Sequence, residues 1–256
     1  MLATLSRILI AAFLIGPALA IPQTVIVPNF SDLTVTTRTT AGVHTFLNTS
    51  YFKGPRQRME MRQEPLPRLG SVTLTHCDQN AFYFLDEQHK TYTKRSVDYE
   101  FARRTHGVPT DSDNTVEVII TTDSVDTGEQ RPIGSYTARR IKSTVTIEPS
   151  EEAGIQASKT ETDGWYLDLP GWNCREDARQ QGGIMIASAG NRRPHYVFRK
   201  LGTARRGLVI EETRVTTQKS FTTTSKTEFV QLSETPLDPV LFEVPADYTR
   251  TGVDEP

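Results

Sequence analysis

Between Arg131 and Leu169 the chain reads RPIGSYTARRIKSTVTIEPS, a polar turn, then KTETDGWYLDL. This stretch constrains the fold most, because it reads as two long antiparallel strands joined by a loop around Glu151–Ala157. The second strand alternates, with Trp165, Leu167 and Leu169 on one face and Tyr166 and Asp168 on the other. In the first, Tyr136 and Ala138 share the even face while Ile141, Val145 and Ile147 take the odd one. One extra residue at Arg139–Arg140, a β-bulge, would bring all five to one face and bend the strand. Such a hairpin predicts a curved sheet with one face turned inward.

The remaining residues extend this pattern. Thr24–Val27, Leu33–Thr40, Val43–Phe52, Arg56–Arg62, Ser71–Thr75, Ala81–Asp86, Thr91–Lys94 and Val116–Thr122 read as extended segments before the hairpin. Tyr196–Lys200, Leu208–Thr217, Phe221–Lys226 and Glu228–Ser233 follow it. In Arg56–Arg62, Met59 and Met61 alternate with Arg56, Arg58, Glu60 and Arg62, which predicts the methionines inside and the charges outside. Helical periodicity is scarce. Arg95–Asp113 reads as a connector, Cys174–Gln181 as a short helix, and Leu237–Tyr248 as a turn or short helix before a brief strand. The expected class is mainly β: a curved antiparallel sheet or incomplete barrel with one or two short helices. Residues 21–256 are expected to form one domain, with an insertion around 171–195.

Met1–Ala20 carries Arg7, an apolar run from Ile8 to Leu14 and the small-residue site Ala18-Leu19-Ala20, the pattern of a cleaved secretory signal peptide. The run is shorter than the roughly 20 residues a transmembrane helix needs, and no other stretch is long and apolar enough to span a membrane. A mature protein of the periplasm or the extracellular space is therefore expected. There Cys77 and Cys174, the only two cysteines, either form one disulfide or remain separate thiols.

The formal net charge is −2, so no global field recruits nucleic acid. Five histidines without ligand spacing argue for neither metal nor cofactor. Ser188, within Ile186–Gly190, lacks the first glycine of a nucleophile elbow. Asp111–Asn114 lacks the glycine and closing glutamate of a calcium loop. Glu151 and Glu152 are adjacent and diverge in an extended chain. Enzymatic chemistry is not expected.

Two features suit binding. An inward apolar face would be lined by Met59, Met61, Phe82, Phe84, Val116, Val118, Ile120, Tyr136, Ala138 and Trp165, which equally suit a closed core. A basic run, Asn191–Arg206, carries Arg192, Arg193, Arg199, Lys200, Arg205 and Arg206 around Tyr196 and Phe198. It reads either as a surface for anionic headgroups or an acidic partner, or as a solvated hairpin.

Four segments in order, YFKGPRQRMEMR, AFYFLDEQHKTYTK, GSYTARRIK and PLDPVLFEVPADY, resemble the LolA-like group of periplasmic proteins, in particular an uncharacterised secreted bacterial branch. The matches span roughly Tyr51–Tyr248. The resemblance implies an incomplete antiparallel barrel with an apolar concave side covered by helices. It further implies a cavity for acyl chains of lipids or lipoproteins, or contacts with an envelope protein. This chain has fewer helix-like segments than a lipoprotein carrier and carries the extra insertion before Tyr196.

Overall fold

A computed structural model of the chain describes residues 32–65, 69–98, 115–169, 174, 193–219 and 221–252. The expected segment 24–27, the connector and calcium-like stretch of 99–114, the 175–181 helix, the 186–190 elbow and Arg192 lie outside them. The described chain is mainly β, a single curved sheet of thirteen strands that does not close. Its strands are β1 (Leu33–Ala41), β2 (His44–Lys53), β3 (Arg56–Glu64), β4 (Leu69–His76), β5 (Ala81–Asp86), β6 (Thr91–Ser96) and β7 (Thr115–Ile133). The others are β8 (Tyr136–Pro149), β9 (Ser158–Leu167), β10 (Arg193–Gly202), β11 (Leu208–Gln218), β12 (Phe221–Ser233) and β13 (Thr249–Arg250). Their order is β10-β7-β8-β9-β11-β12-β1-β2-β3-β4-β5-β6-β13. The sheet is mixed: β10 on β7 and β13 on β6 run parallel, the other pairs antiparallel. Among the described residues, 3₁₀ turns lie at Cys77–Gln79, Glu151–Ala153 and Pro239–Phe242, and Val97 and Asp98 are helical.

The central hairpin forms, with β8 and β9 in unbroken register from Ala138–Leu167 to Ile147–Ser158. No bulge lies at Arg139–Arg140. The irregularity falls on the neighbouring strand β7, between the pairs Asp126–Ile141 and Gln130–Arg139, at the sequence Asp-Thr-Gly-Glu. There the Asp126 carboxylate accepts from Gly128 N at 2.9 Å and the Thr127 hydroxyl donates to Arg140 O at 3.1 Å. Short polar side chains that bond their own backbone favour such a detour. Because β8 stays regular, Ala138 and Ile141 occupy opposite faces, and both are fully buried. At this place the sheet is covered on both sides.

Three cores do the covering. In the first, β11 and β12 pair only from Glu212–Thr227 to Gln218–Phe221. Beyond that point β11 follows β9 and β12 follows β1. Leu33, Val35, Phe52, Ala138, Leu167, Leu169, Leu208 and Ile210 pack together between the two branches. Register shifts at Ile210 on β11 and Val230 on β12 supply the extra twist. The tip of the β7–β8 hairpin reaches across to this core, where Ser135 N donates to the Glu234 carboxylate at 3.2 Å. In the second, Val72, Leu74, Ala81, Tyr83 and Leu85 of β4 and β5 lie under a C-terminal strap carrying Val244 and Tyr248. In the third, Val116, Val118, Ile120 and Val145 of β7 and β8 pack with Ala153 and Tyr196. Each large aliphatic side chain buried this way contributes about 1.5–3 kcal/mol.

Cys77 and Cys174 are joined, with Cα atoms 5.0 Å apart and a sequence separation of 97. The bond pins the chain that leaves β9 to the end of β4. No helix among the described residues is long and apolar enough to cross a membrane.

Candidate functional site

The expected apolar lining does not form one surface. It divides among three places. Val116, Val118 and Ile120 are buried in the third core, on the face of β7 and β8 opposite Ala138. Tyr136, Ala138 and Trp165 belong to the first core, where Ala138 is fully enclosed. There the Arg131 guanidinium stacks 4.5 Å from the Trp165 ring centre, with its Nη2 2.7 Å from a Glu211 carboxylate oxygen. The remaining four, Met59, Met61, Phe82 and Phe84, share one face of β3 and β5, on which Met59 and Phe84 are exposed and Met61 and Phe82 half-buried.

Register builds it. Cross-strand partners form rows: Val35–Ser50–Met59–Thr73–Phe84, then Leu33–Phe52–Gln57–Thr75–Phe82 on one side and Thr37–Asn48–Met61–Ser71 on the other. Partners in a row project to the same side of the sheet. The face that is core at Leu33, Val35 and Phe52 thus runs outward into an exposed shelf. Met59 is 40% exposed and Phe84 46%. Serine and threonine on β4 keep the floor between them low. At the inner border Gln57 is buried, and its Nε2 donates to no group among the described residues.

The opposite face of the same strands reverses the expected arrangement of β3. Arg58 and Glu60 are the buried side chains, at 9% and 7% exposure. Arg58 Nε donates to the Glu60 carboxylate at 2.7 Å and its Nη1 to Leu241 O at 3.3 Å. The strap supplies the cover. His76, also buried, bonds through Nε2 to Phe242 O at 2.7 Å, and since a carbonyl only accepts, Nε2 carries the proton. Arg56 pairs with Glu243, and Lys90 with Asp247. Asp32 accepts from Leu237 N at 2.6 Å. With their polar groups met by the strap, the charges go in and the methionines stay out.

A shallow hollow of about 330 Å³ lies elsewhere, lined by residues including Asp123, Val125, Lys142, Asp163, Thr213 and Val215. None of the expected lining residues borders it. On its wall Asp163 is gripped by Arg140, through Nε and Nη2 at 2.8 Å each. That fork holds the Asp163 carboxyl below its ordinary range against a smaller opposing effect of burial. No group of three or more histidine, cysteine or acidic side chains placed to hold a metal occurs among the described residues.

The basic run divides as well. Arg193, Arg199 and Lys200 lie on β10, the last two exposed. Arg205 is exposed in the following loop. Arg206 is no surface residue: it is buried, 3.8 Å from the Glu212 carboxylate. That carboxylate also takes the Tyr166 hydroxyl at 2.6 Å and Arg214 at 2.8 Å. Burial, then the Glu212 charge, pushes the Tyr166 phenol up. Sequence reading missed this buried cluster, because its members are scattered over β9, β11 and a loop.

The four segments quoted for the resemblance, 51–62, 81–94, 134–142 and 236–248, fall on the β2–β3 hairpin, the β5–β6 hairpin, the start of β8 and the strap. No protein-family model matches the chain, and no curated protein matches its sequence.

Proposed function

We propose that this chain is a non-enzymatic binding protein of the periplasm or extracellular space. On this reading it holds an apolar ligand, or the acyl chain of a lipidated partner, on the Met–Phe face of β3–β5. The carrying observation is the exposure of Met59 and Phe84 on a face continuous with the molecule's main core. Large apolar side chains left in water beside a core are the usual sign of a surface that a partner completes. Methionine adapts to irregular chains, and phenylalanine adds area at low entropic cost. The orphan Nε2 of Gln57 supports a ligand with an acceptor at one end, such as a carboxylate or ester carbonyl, since a buried unmet donor is costly. Export rests on the Met1–Ala20 pattern, and the disulfide is in keeping with an oxidising compartment. The LolA-like resemblance points to the same ligand class.

A fluorescent fatty acid titrated into the purified protein tests the proposal. Uptake is expected in the wild type and should fall at least about tenfold in Met59→Glu and Phe84→Glu, whose exposed positions leave folding intact. Gln57→Leu should weaken a free acid more than its alkane counterpart. Absence of uptake by the wild type, or equal uptake by both charged variants, would reject this surface as the site.

A further inference from the structure

We propose that Met59 and Met61 form a binding site for one soft monovalent metal ion, Cu(I) or Ag(I). The two stand two residues apart on β3 and face the same side of the sheet, so their Cβ atoms are about 6.5–7 Å apart. Each carries its sulfur on an unbranched arm with rotatable bonds. Such arms can bring two thioethers together over one ion without moving the backbone. Met59 is 40% exposed and Met61 half-buried, so an ion reaches the pair from solvent.

The surroundings select the ion. Thioether sulfur is a soft donor that suits Cu(I), whereas Mg, Ca and Mn take carboxylate, carbonyl and water oxygens. Glu60, the carboxylate between the two methionines, projects to the opposite face, where it is buried with Arg58. The cross-strand partners of the pair are Asn48 and Ser50 on β2 and Ser71 and Thr73 on β4, all uncharged. Both cysteines are in the disulfide, so no thiol competes for a soft ion.

Local structure makes room for it. β4 carries one extra residue beside Met61, its register shifting at Gly70 between the pairs Met61–Ser71 and Arg62–Leu69. A Cβ on Gly70 would lie 3.7 Å from Met61 Cε, so the Met61 arm leans over β4, and glycine keeps the floor beneath it low. Phe84, in the row of Met59 with Thr73 between, adds a ring of the kind whose face attracts cations. Apolar area alone does not account for methionine here. A β-branched residue fits a strand better, and leucine or isoleucine loses less rotamer freedom on burial. What the pair adds is sulfur.

The test titrates silver nitrate, and separately Cu(I) under nitrogen, into the purified full chain in chloride-free buffer. Calorimetry follows the stoichiometry, and NMR follows the methionine methyl groups. One ion per chain is expected, with the Met59 and Met61 methyl resonances shifting together. Met59→Leu and Met61→Leu should each lose at least about tenfold in affinity, and Zn(II) at equal concentration should not displace the ion. No binding, a shift of only one of the two methyls, unchanged binding in both leucine variants, or displacement by Zn(II) overturns the proposal. Should a variant misfold, the methyl shifts of the wild type decide alone. Leucine keeps the apolar area and removes the sulfur, so fatty-acid uptake should survive both substitutions. The inference shares a face with the proposed function but does not rest on it. Uptake without metal binding rejects this site and leaves that function standing; metal binding without uptake does the reverse.

Discussion

Arg58 and Met59 are neighbours with opposite environments, and the larger energetic stake lies with the charged one. Truncating Arg58 leaves the buried Glu60 with only the half-exposed Arg62, 3.3 Å away, as its cation, a loss of about 3 kcal/mol. Truncating Met59 at a 40% exposed position should cost no more than about 0.5 kcal/mol. Urea unfolding of Arg58→Ala and Met59→Ser should therefore rank the arginine variant far below the methionine one, and the reverse order would refute the inverted strand. Asp163 offers a pH test. Its folded carboxyl is held below the unfolded value by the Arg140 fork. Its contribution is thus present above the unfolded pKa and is lost as pH falls through the folded one. Melting temperatures followed from about pH 6 to about pH 3 should drop less steeply in Asp163→Asn than in the wild type. The difference is modest, since the pair is partly solvated.

Among the elements, β8 separates an open groove from a closed core. Its regular register sets Ala138 against Leu167 inside the first core rather than over a cavity. Ala138→Trp should consequently overpack, costing about 1–3 kcal/mol or more; unchanged stability by chemical denaturation would restore the groove. At the β11 irregularity the backbone comes close to β9, so that a Cβ on Gly164 would lie 2.6 Å from Glu211 O. Gly164→Ala should destabilise measurably for that reason, although alanine is normally better tolerated in a strand. The β8–β9 hairpin and most of the other strands were legible from alternation and turn residues. The hairpin's irregularity lies on β7 and not on β8, at Asp126–Glu129, where short polar side chains bond the backbone. Phe221–Lys226 and Glu228–Ser233, read as two strands, are the single strand β12, bent at Val230.

At the scale of the whole molecule, the sheet is held in its curve by the β11–β12 split, the strap and the disulfide. Cys77–Cys174 closes a loop of 97 residues, a length for which chain entropy gives about 4–5 kcal/mol. Calorimetry with and without reductant should show a clear fall in melting temperature on reduction. An unchanged transition would mean that the strap and the cores already fix these ends. The strap does this for β3–β6 through main-chain acceptors as well as through the bulk of Phe242, Val244 and Tyr248. Leu241 O and Phe242 O answer Arg58 and His76, which is how a polar strand face becomes interior.

By itself the sequence determined the β class, most strand positions, the terminal strap, and the two cysteines as the sole candidates for a bond. Those properties follow from period-two alternation, turn chemistry and composition, which act over a few residues. Tertiary structure decided which side of each strand faces inward. Alternation gives β3 two faces but not the one on which Leu237–Tyr248 lands, 180 residues away along the chain. It also decided that β10 returns parallel to β7 and that Arg206 turns in toward Glu212. The candidate lining scattered for the same reason: apolar side chains mark where water is excluded, and several separate cores can exclude it.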